Sequence, residues 1–422
     1  MKYVSNLVCI NCGKRYHPEP ERYLCPDCGD RGLLEVEYNY KKIKKDWSKE
    51  ALEEDRNYNI WRYLPLLPVE SDTPRPPLRV GWTPLYQNEK LAAELGLKNI
   101  YLKDDGLNPT GSLKDRASAL AVVKAREARA STVACSSTGN AASSLAGNIA
   151  SMGGRMKAVI FVPERAPAGK VTQLLIYGAR VVSVRGSYEE AYYLSDTAIK
   201  RWGWYNRNAA INPYLVEGKK TVALELAEQF NWQMPDWLTF SVGDGCTIAG
   251  AWKGLHDLKE IGFIDRIPRL LGVQAEGCAP ITRSFKTGEP LKVTTEDTLA
   301  DSIAVGNPRN YRKAINGIRY SGGEMVNVSD DEILEMMRLL GRTTGIFGEP
   351  AGVAGLAGVR KMVNRGLIKR NDRVVAVITG NGLKDIKNAQ RAAGKILEVK
   401  PDIEELNRLF LEEGVLNEEE KI

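Results

Sequence analysis

Apolar positions along the central part of the chain fall into short β-rich runs separated by stretches with helical spacing. The runs Asn99–Lys103, Thr132–Cys135, Met156–Val162, Ala179–Val184, Leu238–Val242, Leu270–Gln274 and Val374–Ile378 are each bordered by apolar residues recurring at a 3.6-residue period. Strands that alternate with helices predict α/β architecture: open parallel sheets, doubly wound, with helices on both faces. Helices are expected after Ser112 and after Gly139. Before this region, Glu35 to Arg62 is charged and tyrosine-rich and reads as a connecting arm with a helix near Lys49–Asp55. Prolines at 65, 68, 74, 76 and 77 then mark an extended loop feeding the body. At the other end, Asp402–Glu413 alternates Leu, Ile and Phe with acids, the pattern of a terminal helix docked on the body.

Composition narrows the function classes. The 422 residues are 43% hydrophobic and 27% charged, which excludes a disordered or collagenous chain. A net charge of +6 over this length is too weak to argue for nucleic acid. No apolar run reaches membrane-spanning length, and the opening Met-Lys-Tyr-Val-Ser-Asn has no signal-peptide core, so neither a membrane span nor secretion is expected. The odd count of seven cysteines reads as a reduced compartment, so a cytoplasmic protein is expected. The only histidines are His17 and His256, leaving no material for a multi-histidine metal site and little for a Ser-His-Asp triad.

Cysteine spacing gives a specific signal. Cys9, Cys12, Cys25 and Cys28 form two C-x-x-C pairs, each followed closely by glycine, while Cys135, Cys246 and Cys278 stand alone. Two such knuckles offer four thiolates to a tetrahedral zinc and leave it no open position, so the expected role is structural. Redox pairs or thiols without metal are the alternatives. Lys14, Arg15, Tyr16 and Tyr23 are expected on the solvated face of this small ribbon.

In doubly wound folds ligands sit at the carboxyl ends of strands, so the turns there carry the candidate chemistry. In Leu107-Asn-Pro-Thr-Gly-Ser-Leu-Lys-Asp-Arg116, Ser112 and Asp115 have capping-box spacing, which puts Lys114 in the first turn of a helix. The helix dipole there disfavours the charged amine, as a nucleophilic lysine requires. A solvated lysine after a Pro-Gly turn is the alternative. Cys135-Ser-Ser-Thr-Gly-Asn140 offers backbone N–H groups to a carboxylate at a helix start, or simply an N-cap. Val242-Gly-Asp-Gly-Cys-Thr-Ile248 can cradle phosphate, yet it lacks both the Gly-Lys-Ser/Thr of a P-loop and the dinucleotide fingerprint. Thr379 ends the strand Val374–Ile378 and can offer a hydroxyl to a ligand.

Taken in order, these turns resemble those of the fold-type II pyridoxal-phosphate enzymes, and among them the threonine synthase family. The resemblance runs from Trp82-Thr-Pro-Leu85 to Asp385 and includes Gly169-Lys-Val-Thr-Gln173, Ile211-Asn-Pro213, Glu217-Gly-Lys-Lys-Thr221, Val305-Gly-Asn-Pro308 and Glu349-Pro-Ala351. It implies a zinc-ribbon-like module (1–38), a large lobe (39–111 and 217–400), a smaller mobile lobe (112–216) and a C-terminal helix and tail (401–422). It further implies a homodimer that takes a small amino-acid substrate, while the weak net charge and the lack of a long apolar run leave no expectation of a nucleic-acid or membrane partner.

Carried over by position, the resemblance makes Lys114 the Schiff-base lysine. Asn140 would meet the 3′-oxygen of pyridoxal 5′-phosphate, and Thr379 its pyridine nitrogen. Gly243, Asp244, Gly245, Cys246 and Thr247 would hold its phosphate, and Ser137, Thr138 and Asn140 the substrate carboxylate. The implied reaction converts O-phospho-L-homoserine and water to L-threonine and phosphate.

The sequence departs from the family at three places. Ala209, Ala210 and Leu215 stand in the segment where serine and arginine help hold the substrate phosphate. Leucine cannot bind a dianion. Either Arg165, Lys170, Lys219 or Lys220 replaces the charge, or the substrate has no γ-phosphate. The latter would fit a β-replacement or ammonia-lyase relative, such as a cysteate synthase-like enzyme using O-phosphoserine, or an eliminase of serine, threonine or diaminopropionate. Asp244 and Cys246 stand where asparagine and glycine are usual, so Asp244 is expected to point away from the cofactor phosphate. Ala117 follows Arg116 where glycine is usual, a mild change.

Overall fold

The computed structural model describes residues 1–137, 139–154, 156–164, 168–186, 188–208 and 210–415. Its strands in chain order are β1 (Val4–Cys9), β2 (Arg15–Tyr16), β3 (Leu34–Tyr38), β4 (Leu85–Gln87), β5 (Asn99–Asp104), β6 (Thr132–Ser136), β7 (Lys157–Pro163), β8 (Arg180–Val184), β9 (Tyr205–Asn206), β10 (Trp237–Ser241), β11 (Arg269–Ala275), β12 (Glu324–Val328) and β13 (Arg373–Ile378). Three sheets result: β2-β1-β3, antiparallel; β12-β11-β10-β13-β5-β4, parallel except for β4; and β8-β7-β6-β9, all parallel. In chain order the four-stranded sheet is inserted between β5 and β10 of the six-stranded one. Near-continuous apolar strands suit this arrangement, because helices cover both faces of each parallel sheet.

Each expected parallel strand forms, with ends displaced by at most one residue. Three other strands carry no period-2 signal of their own. β12 (Glu-Met-Val-Asn-Val) is short, β9 has only two residues, and β4 is an exposed antiparallel edge. Residues 35–62 are more than a connecting arm. They supply β3, the helices Tyr40–Asp46 and Lys49–Glu54, and a 3-10 segment starting at Ile60. Tyr38, Ile43, Leu52, Ile60 and Tyr63 are buried in the core of the large sheet.

The helices Lys114–Glu127, Pro213–Gln229 and Cys246–Glu260 pack side by side between the sheets. Glycines permit the close approach. A Cβ at Gly218 would fall 2.3 Å from the Arg116 carbonyl oxygen, and one at Gly250 would fall 2.9 Å from that of Val216. Beneath the Lys114 loop lies a wholly buried ion network. Arg116 clasps Asp105 through two bonds of 2.7 Å and also binds Glu225, which Lys103 meets at 2.9 Å. Removing one member would strand a buried charge, so the network holds the loop in a single geometry.

The terminal helix forms as Ile403–Glu412, with Asp402 accepting from the N–H groups of Glu404 and Glu405. It does not dock as expected: no residue in it is buried, and Ile403 is 72% exposed. No helix among the described residues is long and apolar enough to cross a membrane.

Candidate active site

A cavity of about 900 Å³ opens where the carboxyl ends of β6, β9, β10 and β13 converge. The strand order dictates this position, because every parallel strand delivers its following loop to the same side. Lys114, Ser137, Asn140, Gly243, Asp244, Gly245, Cys246, Thr247 and Thr379 all line it. Thr138, the remaining substrate-binding expectation, lies outside the described residues.

Lys114 is the first residue of its helix, but no capping box starts that helix. Leu113 is the N-cap, with no side-chain hydrogen bond. Asp115 instead reaches back to Thr110, accepting from its N–H and hydroxyl at 2.8 Å each, while the Ser112 hydroxyl is buried without a partner among the described residues. The loop is held from the other side by the end of β13: Leu113 N–H donates to the Thr379 carbonyl at 2.9 Å, and Asn381 N–H to that of Gly111 at 3.0 Å. These bonds fix Lys114 beside Thr379. Burial first, and the Lys219 charge second, lower the Lys114 pKa to about 8. The amine is thus activated chiefly by desolvation, where the sequence pointed to the helix dipole.

The Gly243–Thr247 turn opens the helix Cys246–Glu260. Gly245, at φ 86°, is its N-cap, and no side chain caps it. Uncapped N–H groups at a helix start favour an anion. Asp244 lines the cavity, and its Oδ1 accepts from the Arg309 N–H at 3.0 Å. Lys219, fully buried, lies by the Cys246 thiol, and desolvation lowers its pKa. The turn fits a phosphate, with Lys219 offsetting the acid that Asp244 adds.

Asn140 begins the helix that follows β6, and its Nδ2 donates to Glu349 Oε1 at 2.7 Å. The Glu349 side chain lies over Gly380, where a Cβ would come within 2.3 Å of its Oε1. In the sequence Glu349 carries no chemical signal of its own; an acid before Pro-Ala at a helix start reads as a plain N-terminal residue until the fold brings it to Asn140.

The charge replacements considered from sequence fare differently. Lys220 does not line the cavity; it is buried in ion pairs with Glu217 and with Asp257, the latter at 2.7 Å. Arg165 and Ala209 lie outside the described residues, as does the Lys170 side chain. Leu215 is wholly buried in the small-sheet core. Arg207, which no motif marked, is wholly buried and lines the cavity.

The four ribbon cysteines meet, their Sγ atoms all within 4.8 Å of one another. Cys12 and Cys25 Sγ are 3.8 Å apart, the edge of a tetrahedron with zinc–sulfur bonds of about 2.3 Å. Asn11 N–H donates to Cys9 Sγ, and Asn11 Nδ2 to Cys28 Sγ, as outer partners of a thiolate cluster do. Tyr23 is not solvated as expected: its hydroxyl accepts from Asn206 N–H at 3.1 Å and its ring packs edge-on against Tyr205. The Tyr214 hydroxyl donates to the Glu19 carbonyl. The ribbon therefore braces the segment that carries Arg207.

Paired α/β sheets, a buried lysine in the cavity between them and an uncapped glycine turn suit the pyridoxal-phosphate-dependent enzyme class, and the sequence profile described as "Pyridoxal-phosphate dependent enzyme" matches residues 77–380. The chain is 40% identical over 407 residues to threonine synthase from Methanocaldococcus jannaschii, covering 96% of this chain and 99% of that one. It is 41% identical over 385 residues to threonine synthase from Methanosarcina acetivorans, covering 90% and 92%. The chain belongs to the threonine synthase family. Diaminopropionate ammonia lyase from Escherichia coli shares the fold, with a TM-score of 0.64 over 82% of this chain and 92% of that one, at 19% identity.

Proposed function

We propose that the chain catalyses the conversion of O-phospho-L-homoserine and water to L-threonine and phosphate, with pyridoxal 5′-phosphate as cofactor. The observation that carries this reading is the cation content of one cavity. Lys114, Lys219 and Arg207 are all buried there, and none forms a salt bridge to a carboxylate among the described residues. Buried cations need anionic partners. A phosphorylated cofactor and a phosphorylated amino acid together supply them. When bound, the cofactor offers an aldehyde for amine capture and an electron-accepting ring.

The chain's own residues orient the partners and move protons. The 243–247 turn, the helix start and Lys219 hold the cofactor phosphate. The Thr379 hydroxyl bonds the ring nitrogen without forcing its protonation, which suits elimination and addition. Asn140, steadied by Glu349, meets the 3′-oxygen. Ser137 and Asn140, with Thr138, take the substrate carboxylate at the helix start. Lys114, deprotonated above about pH 8 by its burial, removes protons from the substrate's α and β carbons and returns protons to Cγ, which becomes the methyl group, and to Cα. The Cγ–O bond breaks to release phosphate, and water adds at Cβ.

Beyond the catalytic reading, the ribbon holds a structural zinc, and the enzyme acts as a cytoplasmic homodimer with the four-stranded sheet in a closing lobe. The zinc rests on the thiol geometry. The other assignments rest on family resemblance.

The test compares substrates on the purified holoenzyme. Phosphohomoserine should be turned over at least about 100-fold more efficiently than O-phosphoserine with sulfite or sulfide, a gap of about 2.7 kcal/mol. Preference for phosphoserine would replace this reading with β-replacement.

A further inference from the structure

The segment after β9 carries two buried donor groups that the assigned cofactor and carboxylate contacts leave unused. Arg207 is 1% exposed and Asn208 is 8% exposed, and both line the cavity. The Arg207 Nε and Nη2 donate to the Ser118 hydroxyl at 3.2 and 2.9 Å. Ser118 lies one turn beyond Lys114 on the same helix face, so the guanidinium is held about one helical turn from the reacting amine. Asp115, whose charge reaches Arg207, is already bonded to Thr110 and Asn148. Asn208 Oδ1 accepts from Ser136 N–H at 3.2 Å, which fixes the amide, while its Nδ2 is buried with no partner among the described residues.

A buried guanidinium without a carboxylate and a buried amide N–H₂ without an acceptor are each costly unless a ligand completes them. A phosphate monoester does both: it gives the guanidinium a dianion and the amide an oxygen acceptor. Among the described residues, the other cations that line the cavity are placed elsewhere. Lys219 is beside Cys246 at the cofactor turn, and Arg309 is exposed at the rim, stacked on Tyr192 at 4.3 Å.

We infer that Arg207 and Asn208 form the recess for the substrate's distal phosphate, doing here what the family's arginine cannot do from the position of Leu215. This rests on the proposed reaction and deepens it by naming the two side chains of this chain that select a phosphate monoester at the end of the substrate's side chain.

The test uses holoenzyme variants Arg207→Gln, Arg207→Lys and Asn208→Asp. Asn208→Asp keeps the acceptor for Ser136 N–H but replaces the unused donor with a negative charge. Both Arg207→Gln and Asn208→Asp should raise the KM for phosphohomoserine about 10- to 100-fold. Arg207→Lys should fall between these and the native enzyme. Inorganic phosphate should inhibit the native enzyme competitively and perturb its cofactor absorbance, and should do neither in Arg207→Gln. Cofactor affinity, titrated by the same absorbance, should be unchanged in all three.

An unchanged KM, or a loss of cofactor affinity in place of the KM effect, overturns the assignment. If Arg207→Gln does not fold, the lysine and aspartate variants decide by the same readouts. If the native enzyme ignores phosphohomoserine, the reaction reading fails separately. Phosphate perturbation that persisted in the Arg207 and Asn208 variants would still overturn the recess, whichever amino acid is the substrate.

Discussion

At the residue scale the site depends on the state of one amine. In cofactor-free protein the Lys114 pKa is lowered to about 8 from the usual lysine value by burial. Since only the neutral amine captures an aldehyde, the rate of cofactor uptake should climb about tenfold per pH unit below pH 8 and level off above it. Stopped-flow absorbance from pH 6.5 to 10 reads this, and a rise continuing to pH 10 would mean that the amine is not desolvated. The linked stability has a definite sign. The folded state releases the Lys114 proton near pH 8 and the unfolded chain near 10.5, so this group makes folding more favourable as pH rises between them. Lys114→Ala should abolish both the cofactor band and turnover. Much of this site could be read before any fold was known, because Lys114, Asn140, Thr379 and the 243–247 turn sit in motifs that a strand end delivers to the cavity. Arg207, Asn208 and Glu349 could not. Each occupies an unremarkable local context and acquires a role only through neighbours far away in sequence.

At the scale of elements, helix proximity decides how well that lysine is held. Gly218→Ala would press a methyl group against the Arg116 carbonyl and push two helices apart. A cost of about 1–3 kcal/mol is expected, read as a lower denaturation midpoint, together with weaker cofactor binding as the Lys114 loop shifts. A midpoint unchanged from the native protein would show that the helices yield without cost. The parallel strands were legible because their apolar runs are buried on both faces. β9 escaped notice with two residues, and β12 because Glu324 and Asn327 interrupt its apolar run. The helix starts where the sequence pattern puts Lys114, but by another cause: Asp115 bonds backward to Thr110, and tertiary bonds from the β13 end do the work of a cap. The cysteine ribbon should yield one zinc per chain by elemental analysis, and Cys25→Ser should lower that content. Protein free of metal yet fully folded would leave the four thiols without the assigned role.

At the scale of the whole molecule, two parallel sheets open their strand ends toward one cavity while the N-terminal ribbon braces one wall of it through Tyr23 and Glu19. Stripping the metal should therefore raise the KM for the amino-acid substrate more than it weakens cofactor binding, because the braced segment leads into Arg207 and Asn208. Equal loss of both would mean general unfolding. The alternation of strands and helices announced this architecture, whereas the packing of residues 35–62 into the large core and the undocked terminal helix depended on long-range contacts that no local pattern encodes. The central claim is that this cavity joins a phosphorylated cofactor to a phosphorylated amino acid and exchanges phosphate for water. The most direct measurement is the yield of L-threonine and inorganic phosphate from O-phospho-L-homoserine by the native holoenzyme. Equimolar threonine and phosphate are predicted. Full cofactor absorbance without release of either product would contradict the claim.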